Sequence, residues 1–241
     1  MFTPVHCIAL RTVKVSDDRS LLSVWTREIG RATFSMPSGS GREAKRRKAL
    51  TSPLAIFEGV VDIKPGKEIL SVKDFKVMSG TLAYESSPVK GLISMFLAEV
   101  LDLLLRRQEA DEILSDYLFN SLQIFSDLED PIGIANFHLV FLYGLCRLGG
   151  VEPDLSSYSE RAIFDMREGR YRATQPLHDS YLAGNTAFGP KLLSRMNYRN
   201  MHKVLLSRSD RVAMLNKIIE YIGIHLVPLT SLKSLDVLKT I

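Results

Sequence analysis

Apolar residues in this chain recur at every second position up to about residue 78, and at every third or fourth position from about residue 88. Strands repeat at two and helices at 3.6, so no single element type satisfies both patterns. The first part reads as strands. HCIALRTVKV (His6–Val15) and SLLSVWT (Ser20–Thr26) are rich in β-branched, apolar and aromatic residues, with a turn-forming SDD between them. In RATFSM (Arg31–Met36), Ala32, Phe34 and Met36 share one face while Arg31, Thr33 and Ser35 share the other. LAIFEGVVDI (Leu54–Ile63), a KPGKE turn and ILSVKDFKVM (Ile69–Met78) complete the set. Five strands in about 75 residues fit a small closed barrel, and the OB-fold is the common barrel of that size that binds nucleic acid. Trp25 and Phe34 alternate as barrel-interior residues do, which assigns them to the core rather than to base stacking.

The second part reads as helices. SPVKGLISMFLAEVLDLLLRR starts on a Ser-Pro cap signal and ends in paired arginines, which suit a helix C-terminus. Asp111–Leu128 forms a second helix, and Pro131–Gly150 a third that opens on proline and stops at a double glycine. Residues 151–185 are polar and broken, with FDMREGRY (Phe164–Tyr171) forming a small hairpin that turns at Gly169. Helical patterning resumes near Pro190 and is clearest in Ser207–Leu226, where Val212, Leu215, Ile218, Ile219 and Ile222 make one stripe. The expectation is an α+β multidomain protein. An N-terminal five-stranded OB-fold β-barrel spans residues 1–80, and an α-helical C-terminal domain spans 81–241 with a small subdomain around 151–185.

Charge divides with the fold. Residues 1–80 hold 14 Lys/Arg and 8 Asp/Glu, whereas the remainder holds 17 and 19, so the whole positive excess lies on the barrel. Such asymmetry suits a polyanion-facing module joined to a neutral one. The excess peaks in PSGSGREAKRRKALTSP (Pro37–Pro53), between the third and fourth strands, where five cations fall within seven residues. The segment does not bind nucleotides as a glycine-rich loop. Ala44 stands where G-x-G-x-x-G needs its third glycine, and no Gly-Lys-Ser/Thr occurs there. The remaining readings are a phosphate-backbone contact, a solvated loop or a nuclear-targeting string, and KRRK is short for the last and sits inside a domain.

Chemistry has no visible address. His6, His138, His178, His202 and His225 stand singly, without ligand spacing to one another or to Cys7 and Cys146. No paired-carboxylate or serine-elbow arrangement occurs. Two distant cysteines suit a reducing cytoplasm, and the N-terminus lacks the pattern of a secretory signal. Apolar runs such as Gly91–Leu105 are interrupted by Glu99 and Asp102, so no membrane span is expected. A non-enzyme is the expectation, and a protein-interaction scaffold working through its helical domain is the alternative to a nucleic-acid binder.

ALRTVKVSDDRSLLSVWTREIGR, GREAKRRKALTSPLAIFE, VEPDL, FDMREGRY and IHLVPLTSLKSLDVL together resemble the RecO family of bacterial DNA repair and recombination mediators, in the family's order. The resemblance implies binding and annealing of single- and double-stranded DNA. It also implies cooperation with RecR in loading RecA onto DNA coated by single-strand-binding protein, in the bacterial cytoplasm near the nucleoid. Arg42, Lys45, Arg46, Arg47 and Lys48 fall in the family's basic loop. Arg27 and Arg31 extend that track on the neighbouring hairpin, and Arg11 and Lys14 extend it on the first strand. For the acidic tail of single-strand-binding protein the family implies a groove in the helical domain, with Lys203, Arg208 and Arg211 as charge partners. Many members carry a zinc site of two Cys-x-x-Cys pairs. Here the matching stretch, PDLSSYSERAIFDMREGRY, has neither cysteine nor histidine, so no zinc is expected and the subdomain should be held by packing alone.

Overall fold

The computed structural model describes residues 2–37, 50–63, 66–78, 87–106, 108–229 and 232–239. The five expected strands form: β1 (Phe2–Lys14), β2 (Arg19–Thr26), β3 (Gly30–Pro37), β4 (Ile56–Asp62) and β5 (Ile69–Val77). They close into a barrel in the order β1-β2-β3-β5-β4, with β3 and β5 parallel and the other pairs antiparallel, as in an OB-fold. The interior follows the alternation read from the sequence, with Cys7, Ala9, Leu22, Val24, Phe34, Met36, Phe57 and Val61 all buried there. Closure needs local bends. The β1–β2 register shifts between Ala9 and Arg11, and the β4–β5 register shifts opposite Asp74, which takes φ 49.

Helices α1 (Pro88–Leu104) and α2 (Glu112–Asp127) follow, then α3 (Pro131–Leu148). Ser87 caps α1 by accepting from the Lys90 N–H, and Asp130 caps α3 by accepting from the Gly133 N–H at 2.7 Å. The hairpin of β6 (Ile163–Asp165) and β7 (Arg170–Arg172) pairs with β8 (Tyr181–Leu182) in the order β7-β6-β8. A short α4 (Gly189–Arg195), α5 (Arg208–His225) and α6 (Leu235–Leu238) complete the described elements.

Packing does not divide the chain where the period changes. Met1–Asp127 and Leu232–Thr240 form one compact unit, and Leu128–Ser231 forms the other. The change of element type expected at 80/81 does not coincide with a gap in packing, because α1 and α2 fall in the same compact unit as the barrel. Trp25 shows why. It is fully buried but lies on the outer side of β2, not in the barrel interior, and its Nε1–H donates to Ser115 Oγ of α2 at 3.1 Å. Gly30 turns the β2–β3 hairpin at φ 70, and any Cβ there would stand 2.6 Å from the Ala110 backbone nitrogen. The chain's far end joins this unit too. The Glu99 carboxylate of α1 accepts from the N–H groups of Lys233 and Ser234, each at 2.9 Å.

The second unit is built around α3. Among the described helices α3 alone is long and apolar enough to cross a membrane by length and composition, yet most of it is buried inside this unit. His138 lies within it, fully buried. Desolvation, with the Arg211 charge adding to it and the Ala135 backbone only partly offsetting it, pushes the imidazole down to about 3. The unfolded chain, with histidine near 6.5, therefore takes up a proton that the folded chain refuses. Stability is full above about pH 6.5 and falls below it by up to about 1.4 kcal/mol per pH unit. Denaturant unfolding across pH 4–7 should show that slope in the parent and a flatter one in His138→Leu.

The 151–185 segment is not held by packing alone. The buried Asp165 carboxylate accepts from the N–H groups of Arg167 and Glu168 at 3.0 and 3.1 Å. It also meets Arg172 Nε at 3.4 Å and His178 Nε2 at 3.3 Å, tying the hairpin to the strand that returns. Gly169 makes the tight turn at φ 68, with the Tyr221 hydroxyl 2.7 Å from where a Cβ would sit. A zinc ion does not fit this donor set. The carboxylate is already hydrogen-bonded, a guanidinium stands beside it, and no thiolate is near.

Candidate nucleic-acid interface

The basic connection itself, Arg42, Lys45, Arg46, Arg47 and Lys48, lies outside the described residues. Its two ends are described. It leaves β3 at Pro37, and Leu50 is buried in the barrel interior. From there residues 50–55 are strapped along β1, with Leu54 N–H donating to Ala9 O at 2.8 Å and Ala9 N–H to Ala55 O at 2.9 Å. Leu54 takes φ 63, which a leucine adopts only when its surroundings impose it. The five cations thus sit between two fixed points of one barrel.

The other four candidate cations of the barrel are not alike. Lys14 is exposed and reaches Asp17 at 2.7 Å, a solvent-side pair that costs little to break. Arg11 is also exposed, 3.9 Å from Asp102 Oδ2 of α1. Arg27 pairs with Asp116 of α2 and lies 5.1 Å over the Phe119 ring. Arg31 turns inward against Asp102, with only 14% of its side chain exposed, and burial lowers its proton affinity. The structure therefore leaves Arg11 and Lys14 facing solvent and commits Arg27 and Arg31 to the helices.

Sequence reasoning missed several exposed groups. Lys73 of β5 stands 4.4 Å over the ring of Phe2, which is itself more than half exposed. An exposed aromatic beside a cation suits a base stacked over a phosphate. The signal was available in the alternation of ILSVKDFKV, where Lys73 falls on the polar face. Arg106, just beyond α1, is also exposed.

In the second unit a cavity of about 480 Å³ opens between α4, α5 and the β6–β8 sheet. Its walls are mostly apolar, including Met166, Phe188, Leu193, Ala213 and Met214, and Lys217 brings a cation to it. Lys203, Arg208 and Arg211 do not line it. Arg211 instead donates to Asn136 Oδ1 at 3.3 Å and Leu206 O at 3.2 Å, bracing the turn before α5. Lys217 lies one to three turns further along the same helix, and only the fold tells which turn faces the cavity. Cys146 also borders it, with its thiol pushed up to about 12 by burial. Cys7, in the barrel interior, is shifted in the same direction for the same reason. Neither thiol is a nucleophile at neutral pH. Among the described residues no three His, Cys, Asp or Glu side chains converge as metal ligands.

A protein-family model described as "Recombination protein O C terminal" matches residues 86–236. A DNA repair protein RecO of Phocaeicola vulgatus is 34% identical over 232 residues, covering 96% of this chain and 95% of the relative. One from Bacteroides fragilis is 34% identical over 233 residues, covering 96% of each. One from Porphyromonas gingivalis is 32% identical over 241 residues, covering 98% of this chain and 97% of the relative.

Proposed function

Because the chain belongs to the RecO family of DNA repair proteins, we propose that it acts as a non-enzymatic mediator, binding and annealing DNA strands. In this reading it works with RecR to bring RecA onto DNA coated by single-strand-binding protein, in the cytoplasm beside the nucleoid. The observation that carries the reading is a closed OB-order barrel whose five-cation connection is pinned at Pro37 and Leu50. Charge of that density binds by releasing counterions from phosphates, without reading bases. The mechanism follows from this. The connection gathers two single strands on one surface and screens their repulsion, and no bond is made or broken by the protein. Annealing of complementary oligonucleotides by the full chain, followed by dye displacement without nucleotide present, tests this. Failure to accelerate annealing at low salt would leave the scaffold reading in its place.

The cavity of the second unit supports the partner side of the proposal. The tail of single-strand-binding protein is acidic with an apolar end, so it needs an apolar slot with a cation at its edge. The Met214–Leu193 wall supplies the slot, and Lys217 supplies the cation once the tail displaces Glu220, which pairs with it at 2.8 Å. Asp210 also borders the cavity, but it is held by Ser207 at the start of α5, with Oγ–H donating at 2.6 Å. Lys217→Gln should weaken binding of an acidic tail peptide about tenfold, read by fluorescence anisotropy, while Lys203→Gln changes it little. Equal affinity for the parent and Lys217→Gln would place the tail elsewhere.

A further inference from the structure

Two guanidinium groups share one carboxylate where β1 and β3 meet α1, and the charge of a third is felt beside them. Asp102 of α1 is buried, and it pairs with Arg31 of β3 through one oxygen. Arg11 of β1 stands 3.9 Å from the other oxygen, with 62% of its side chain exposed. Arg106 lies two residues past the end of α1, is exposed, and its charge acts on Arg31. Among the described residues no other carboxylate pairs with these arginines, so the cluster carries three positive charges against one negative.

A structural staple between barrel and helix requires one arginine and one carboxylate. Here the staple itself is incomplete, because Arg31 Nη1 is buried without a hydrogen-bond partner. A buried guanidinium donor left unpaired is costly, and an incoming oxygen would satisfy it. The charges of Arg106 and Arg11 both lower the proton affinity of Arg31, after burial, so the excess positive charge is felt at the centre of the cluster. An anion beside Arg11 and Arg106 would relieve that repulsion.

We propose that Arg11, Arg31 and Arg106, arranged around Asp102, form a seat for one phosphate of a nucleic-acid backbone. Asp102 acts as the internal counter-ion that pre-orients the arginines before the phosphate arrives. The proposal rests on the DNA-binding reading above and adds a rigid contact, built on strands and a helix, to the connection between β3 and β4. Positioning contacts of this kind fix register without reading sequence.

The test is a salt series of oligothymidylate binding by the full chain, with the Arg11→Gln/Arg106→Gln double variant beside the parent. Both residues are exposed, and a thermal melt of the variant should match the parent. Losing one phosphate contact should reduce the slope of log K against log salt by roughly 0.7 and weaken binding several-fold at moderate salt. Arg31→Lys, which keeps the charge but loses the fork, should also bind more weakly. A double variant with unchanged affinity and slope, in a parent that binds DNA, overturns the seat alone. A parent that binds no DNA at any salt overturns the DNA-binding reading and the seat with it. Displacement of the oligonucleotide by micromolar inorganic phosphate at constant ionic strength would overturn the assignment to nucleic acid.

Discussion

Replacing Arg42, Lys45, Arg46, Arg47 and Lys48 together by glutamine should lower affinity for a single-stranded oligonucleotide on the order of a thousandfold at about 50 mM salt. The size follows from counterion release. Each phosphate neutralised on a single strand contributes about 0.7 to the slope of log K against log salt, so five contacts contribute three to four units. Both numbers must fall together. A variant that loses affinity but keeps its slope has lost something other than phosphate contacts, such as the fold of the barrel. The fold is safeguarded by position, because the segment's anchors, Pro37 and Leu50, are untouched and Leu50 stays in the interior. A five-fold variant that binds like the parent at every salt concentration removes the connection from the DNA-binding surface.

Asp102→Asn carries the largest expected cost in stability, about 3 kcal/mol in urea unfolding of the full chain. Asparagine keeps the shape but leaves Arg31 buried with no counter-charge, and breaking one side of a buried pair costs far more than removing both. The double change Arg31→Met/Asp102→Leu should therefore recover most of the loss. If Asp102→Asn unfolds with the parent's midpoint, the pair contributes nothing and Arg31 is solvated in solution.

Local pattern carried most of the elements and little of the wiring. The five strands and the main helices follow from hydrophobic period and caps, so Ser87, Asp130 and Ser207 all sit where a helix start was legible. Trp25 was legible as buried but not as outward-facing, because a strand's two faces look alike when a helix covers the outer one. Its partner Ser115 is 90 residues away. The same holds for charge. Arg31 and Arg27 read as free cations on a polar face, yet their carboxylates arrive from 71 and 89 residues later. Asp165 was invisible for a different reason. A lone carboxylate in a polar stretch has no spacing to signal that two backbone N–H groups, an arginine and a histidine converge on it. Within α5 the charged side was legible but not the turn that lines the cavity, which left Lys217 behind Arg208 and Arg211.

The ribosome delivers this chain in an order that its packing does not respect. Residues 232–239, whose backbone satisfies the Glu99 carboxylate of α1, emerge only after the whole of Leu128–Ser231. The later-made unit has all its residues while the earlier one still lacks the segment that clasps it. A nascent chain halted after α5 would hold Glu99 in water, with nothing to receive, and its first unit would mature last.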